Sequence, residues 1–115
     1  MLQATPSITT DAQVIEWAPF RLKPGITDAE LLAASEALQR DFLSRQDGFV
    51  GRELLRGANG QWADLVYWRD DESARAIMPA VLESPVCMAY FHLMEGADAA
   101  DPGAGVLHLH RVRAY

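Results

Sequence analysis

Apolar residues recur along the chain with two different periods, and the alternation between those periods lays out its elements. From Val14 to Lys23 the stretch VIEWAPFRLK alternates, with Ile15 and Trp17 on one face of an extended strand and Ala18, Phe20 and Leu22 on the other. Pro19 removes a ladder donor, which predicts a bulge or an unpaired position. Pro24-Gly25 ends the strand. Thr27 then predicts a helix N-cap, with Glu30 placed to close a capping box and Ile26 and Leu31 to form a hydrophobic staple. Leu31, Ala34, Leu38 and Phe42 make an apolar stripe at helical spacing, and the helix is expected to end near Asp47-Gly48.

Phe49 to Arg56 and Gln61 to Trp68 read as strands joined by Gly57-Ala58-Asn59-Gly60. With Asn59 and Gly60 as the two central turn residues, Leu54 should lie opposite Leu65 and Gly51 opposite Trp68. Asp70 caps a second helix, whose positive end is favoured by Asp71 and Glu72. Pro79 and the pair Ser84-Pro85 predict that this helix is bent or divided in two, the second piece running from about Pro85 to Glu95. Small residues from Gly96 to Gly105 read as a loop. Val106 to Tyr115 is expected as a last strand, with His108, His110 and Val112 on one face and Leu107 and Leu109 on the other.

The order β-α-β-β-α-β specifies an α+β, ferredoxin-like fold: a four-stranded antiparallel sheet with helices on one face. Residues 1–12 read as a flexible leader and 13–115 as a single domain. Two helices cover only one side of such a sheet, yet the first and third strands are apolar on both. A homodimer through the open sheet face is therefore expected.

Composition narrows the partners. The net charge of -6 argues against nucleic acid, which needs clustered Lys and Arg. The single cysteine, Cys87, can form no intrachain disulfide, and no apolar run approaches a membrane span, so the cytoplasm is the expected compartment. No phosphate loop, nucleophile elbow or Cys-x-x-Cys site occurs, leaving nucleotide and acyl-transfer chemistry without a motif.

The candidate chemistry is spread along the chain. His92, in an apolar helical setting with Met88, Tyr90, Phe91 and Leu93, could act as a general base or an axial ligand; the competing reading is a partly exposed, hydrogen-bonded ring. Trp68, at a strand end beside a helix start, is either a stacking surface for a planar ligand or simply core. Glu16 shares the Phe20 face, where burial would raise its pKa and make it a base, unless it sits at the strand's wet end. His108 and His110 stand about 7 Å apart on one strand face, and a metal would need a third ligand from Glu16 or Glu53; an exposed or dimer-facing pair is the plainer reading, and no metal is expected. Cys87 reads as core.

Three stretches, FRLKPG, QDGFVGRELLRGANGQW and LVYWRDDESARAIM, resemble the dimeric α/β-barrel superfamily and, within it, antibiotic-biosynthesis-monooxygenase-like (ABM-like) domains. The similarity spans Val14 to Tyr115. It implies a homodimer, and a cofactor-free monooxygenase that uses dioxygen on a planar, apolar or aromatic small molecule. On the reading of the residues above, His92 is then expected as the catalytic base, with Trp68, Phe20, Met88, Phe91 and Glu16 around the substrate. The superfamily also contains members with no known reaction, so a non-catalytic ligand-binding or regulatory dimer is the alternative. Haem-degrading relatives resemble this chain at Trp68 and His92, but carry an Asn on the first strand where this chain has Phe20.

Overall fold

In the computed structural model, which describes residues 11–97 and 105–115, the two periods become one sheet and one helical layer. Strand β1 is Val14–Arg21, β2 is Phe49–Arg56, β3 is Gln61–Trp68 and β4 is Leu107–His110. The sheet order is β2-β3-β1-β4, with every neighbouring pair antiparallel. This is the ferredoxin-like arrangement expected from the element order. Residues 1–10 of the expected leader and 98–104 of the Gly96–Gly105 loop lie outside the described residues, while Ala12, expected in the leader, is buried. Among the described residues, no helix is long and apolar enough to cross a membrane.

Parity decides the faces. Val14, Glu16, Ala18 and Phe20 of β1 pair with Trp68, Val66, Asp64 and Trp62 of β3, and all eight point towards the helices. Ile15 and Trp17 turn the other way, beside Tyr67 and Leu65 on one side and Leu109 and Leu107 on the other.

Helix α1, Asp28–Asp41, begins where its cap predicts: Thr27 Oγ1 accepts from Glu30 N at 3.1 Å. It ends earlier than Asp47. Phe42 leaves helical geometry, a 3-10 turn takes Leu43–Arg45, and Gly48 at φ +80° turns the chain into β2. Gly48 O then accepts from Arg69 N at 2.8 Å, tying the start of β2 to the end of β3.

The second helical region has three pieces, not two: α2 Asp71–Ala76, α3 Met78–Glu83 and α4 Pro85–His92. Asp70 Oδ1 accepts from Ser73 N at 2.8 Å at the first start, and Ser84 Oγ from Cys87 N at 3.2 Å at the last. Pro79 lacks the donor that a continuous helix would need, so the chain breaks before it, at Ile77, as well as at Ser84.

One further expectation needs correction, and that at Pro19 holds in its second form, an unpaired position on one side. The hairpin register is one residue from that predicted: Leu54 faces Asp64 and Gly51 faces Tyr67, because the loop holds three residues, Ala58 to Gly60. Gly57 N donates to Gln61 O at 2.7 Å, and Asn59 and Gly60 take positive φ inside that ring. Pro19 causes no bulge; it keeps register with Ala63 at a position that β4 does not reach, where proline is tolerated. The irregularity lies between Phe49 and Gly51 instead. Beyond β4's reach, β1 bonds to the chain leaving α4, with Glu95 N donating to Arg21 O and Lys23 N to Leu93 O, both at 2.8 Å.

The core between sheet and helices is built on Val14, Leu31, Val66, Trp68, Cys87 and Tyr90. Phe20 stacks on Trp62 (6.5 Å between centroids, 13°) and meets Tyr90 edge-on, while Phe49 meets Trp68 edge-on at 5.8 Å.

Candidate functional site

The helical layer does not fill the space over the sheet. A cavity of about 290 Å³ remains, walled by Phe20, Leu38, Phe42, Val66, Ile77, Val81, Phe91 and Met94. Its volume lies near the lower end for small-molecule sites, and its apolar wall with a few converging polar groups is the composition of such sites.

Two polar groups enter that wall. Arg52 Nε of β2 donates diagonally to Asp64 Oδ1 of β3 at 2.9 Å, their side chains only 6 % and 9 % exposed. Arg52 also donates to Ser35 Oγ at 2.8 Å and to Tyr90 Oη at 3.0 Å, and Tyr90 donates to Asp64 Oδ2 at 2.7 Å. Burial raises the Asp64 pKa against the pull of Arg52 and the Tyr90 hydroxyl, and burial beside Asp64 drives the Tyr90 phenol upwards. Each member is satisfied by another, so this network holds α1, α4 and the sheet together at the cavity's edge.

Glu16 and His108 form the second group. They are direct neighbours across β1 and β4, with His108 Nε2 3.2 Å from Glu16 Oε1. Trp68 Nε1 donates to the same oxygen at 3.3 Å. The Glu16 side chain is 18 % exposed and borders the cavity. Burial is the largest cause of its raised pKa; His108 and Trp68 oppose the rise and the nearby Asp64 adds to it. A carboxylate of this kind is a stronger base than one in water.

The residues singled out from sequence divide between cavity and periphery. Glu16, Phe20 and Phe91 line the cavity. Trp68 is fully buried behind Glu16 and reaches the site only through its indole N–H. Met88 packs against the core without lining the cavity. His92 is exposed on the last turn of α4 and is not brought to the cavity at all, because α4 turns Tyr90 and Phe91 inwards at that level. Cys87 borders the cavity, but burial raises its thiol pKa and leaves it a weak nucleophile. His110 pairs with Asp71 Oδ1 at 3.6 Å, not with a third metal ligand alongside His108, and no metal-holding cluster occurs among the described residues.

Arg52, Asp64 and Tyr90 were not recognised from sequence as parts of the site. The available signal was parity: Arg52 and Asp64 are charged residues at inward-facing positions of two strands, an arrangement that requires a partner.

No family model matches the chain, and no curated protein matches it. Solved structures do match. SnoaB, a cofactor-independent oxygenase from Streptomyces nogalater, is 20 % identical with a TM-score of 0.61, the match covering 90 % of this chain and 95 % of that one. The ActVA-Orf6 monooxygenase of Streptomyces coelicolor, solved with the ligand nanaomycin D, is 12 % identical with a TM-score of 0.70, covering 94 % and 96 %. NE2512 of Nitrosomonas europaea, a protein of unknown function, is 12 % identical with a TM-score of 0.59, covering 91 % and 94 %. These likenesses establish an ABM-like fold over nearly the whole chain.

Proposed function

We propose, from the ABM-like fold and the cavity it encloses, that this protein is a cofactor-independent monooxygenase acting on a planar, largely apolar aromatic molecule. The observation that carries the reading is Glu16, a half-buried carboxylate held by His108 and Trp68 at the wall of a largely apolar cavity, with its pKa raised by burial. SnoaB and the nanaomycin-bound monooxygenase lend the fold-level analogy.

Glu16, rather than His92, is the base in this proposal. Its carboxylate takes a proton from an acidic C–H or O–H of the bound ring system, leaving the electron pair on the substrate. That electron-rich anion reduces dioxygen to a carbon-bound peroxide; loss of the second hydrogen from the same carbon then breaks the O–O bond, leaving a carbonyl on the ring, and the outer oxygen leaves as water with the proton that Glu16 took. Phe20 and Phe91 hold the ring plane, and the apolar wall excludes bulk water from the anion.

The open sheet face supports a homodimer. Trp17 and Ile15 lie there with Leu107 and Leu109, which are 55 % and 51 % exposed. A second copy of the same face buries this surface in the simplest way.

Oxygen uptake with a panel of hydroxylated polycyclic aromatics tests the activity, with Glu16→Gln alongside. Uptake that falls about 100-fold in the variant is expected, since general-base catalysis contributes roughly that much or more. Equal uptake in the two proteins removes Glu16 from the reaction. Saturable binding of the same compounds with no uptake favours the non-catalytic ligand-binding dimer. Haem handling draws no support from the placement of His92, and His92→Ala is expected to leave uptake within about twofold.

A further inference from the structure

Glu16 is held by groups that its own strand does not supply. His108 faces it directly from β4, and Trp68 reaches it diagonally from β3. Both contacts fall on Oε1, at 3.2 Å and 3.3 Å. Among the described residues Oε2 carries no hydrogen bond. Two partners from opposite sides fix the rotation of a carboxyl group that would otherwise turn freely about its last bond. His108 also borders the cavity, and its side chain is 31 % exposed, so the imidazole spans the distance from the buried carboxylate to solvent.

We propose that His108 is a positioning residue for Glu16: from β4 its Nε2 holds Oε1 and so presents Oε2 to the substrate. This rests on the reading of Glu16 as the catalytic base. In the proton transfer the substrate's X–H bond breaks, an O–H bond forms at Oε2, and the electron pair stays on X.

The other charged or titratable groups around the cavity are Asp64 on β3, Arg52 on β2, Cys87 and Tyr90 on α4, and Glu95 just beyond it. Asp64 is the one that acts on Glu16 to hold its proton, and Asp64 is itself bonded to Arg52 and Tyr90. His108 supplies the opposing influence from β4. Removing it leaves burial and Asp64 opposed only by the indole N–H, and Glu16 then keeps its proton to higher pH.

The test follows the Glu16 carboxyl carbon by NMR in protein labelled at glutamate Cδ, its resonance assigned by its loss in Glu16→Gln. Wild type, His108→Gln and His108→Leu are titrated through the acid and neutral range. The expected result is an upward shift of the Glu16 midpoint in His108→Leu, and a smaller one in His108→Gln, which keeps a hydrogen-bond donor at that place. The other glutamates should not move. Unchanged Glu16 midpoints in both variants overturn the proposal, and if His108→Leu fails to fold, His108→Gln decides alone. The midpoint is read without substrate, so a wild type that takes up no oxygen defeats the oxygenase reading and leaves this measurement standing. Where uptake is found, the acid limb of kcat/KM shifts in the same order, whereas a merely structural histidine lowers the rate equally at all pH.

Discussion

A carboxylate drawn largely out of water is a cost to the fold, and Glu16 makes the sign of that cost testable. Its folded pKa lies above the ordinary carboxylate value, so between the two the native state binds more protons than the unfolded chain. Stability therefore falls as pH rises through that interval, and the full penalty is present above it. Glu16→Gln keeps an oxygen for Trp68 and His108 but cannot ionise. The variant is expected to melt higher than wild type at neutral pH, by about 0.5–2 kcal/mol, with the gain vanishing in acid. Thermal unfolding at two pH values checks this. Arg52 presents the opposite case. Its removal leaves Asp64 buried without its cation, and Arg52→Leu should cost about 3–5 kcal/mol by urea unfolding. A loss below about 1 kcal/mol would show that Asp64 is not charged there.

At the scale of elements, the cavity exists because the second helical region is broken. Three short pieces, divided at Ile77 and at Ser84, cannot cover the sheet as one straight rod would, and Ile77, Val81 and Phe91 end up around a space. The position of α2 depends on Gly48. A Cβ at that residue would collide with the Ser73 side chain, and its φ of +80° is one that other residues adopt at a cost. Gly48→Ala is expected to destabilise by more than about 1 kcal/mol and to loosen α2 first, seen as faster amide exchange over residues 71–76. Uniform exchange across the chain would instead mean that α2 unfolds only with the whole domain.

For the whole molecule the deciding feature is a sheet with two apolar faces and one helical layer. Trp17 and Leu109 occupy the uncovered side, where Trp17→Asp should convert the proposed dimer to monomer in sedimentation velocity while leaving the cavity face intact. A wild type that sediments as a monomer at all concentrations would end the dimer proposal. β4 joins the two ends of this picture. Among the described residues it pairs only with β1, turns Leu107 and Leu109 to the open face, and turns His108 to Glu16. A partner copy packed on the open face would thus steady the strand that holds the proposed base.

Local chemistry carried much of this into the sequence. The Thr27, Asp70 and Ser84 caps, the Pro79 and Pro85 interruptions and the period-two strands are interactions between residues close in the chain, so they could be read without coordinates. The spans of β2 and β3, the ferredoxin-like order and the sharing of one face by Glu16 and Phe20 followed from them. The hairpin register did not follow, since a two-residue and a three-residue loop use the same Asn-Gly pair and differ by one step along the ladder. Nor did the site. Whether α4 turned His92 or Tyr90 inwards depended on a near-uniformly apolar helix with no clear polar face, and only packing against α1, with Phe20 meeting the Tyr90 ring edge-on, settled it. Contacts such as Glu16 with His108, 92 positions apart in sequence, and Arg52 with Tyr90, 38 apart, arise when the sheet closes. Sequence by itself determined which residues form strands and helices, because propensity, capping and period are local. Tertiary structure alone decided which carboxylate is buried beside an imidazole, because burial and charge pairing belong to the assembled fold.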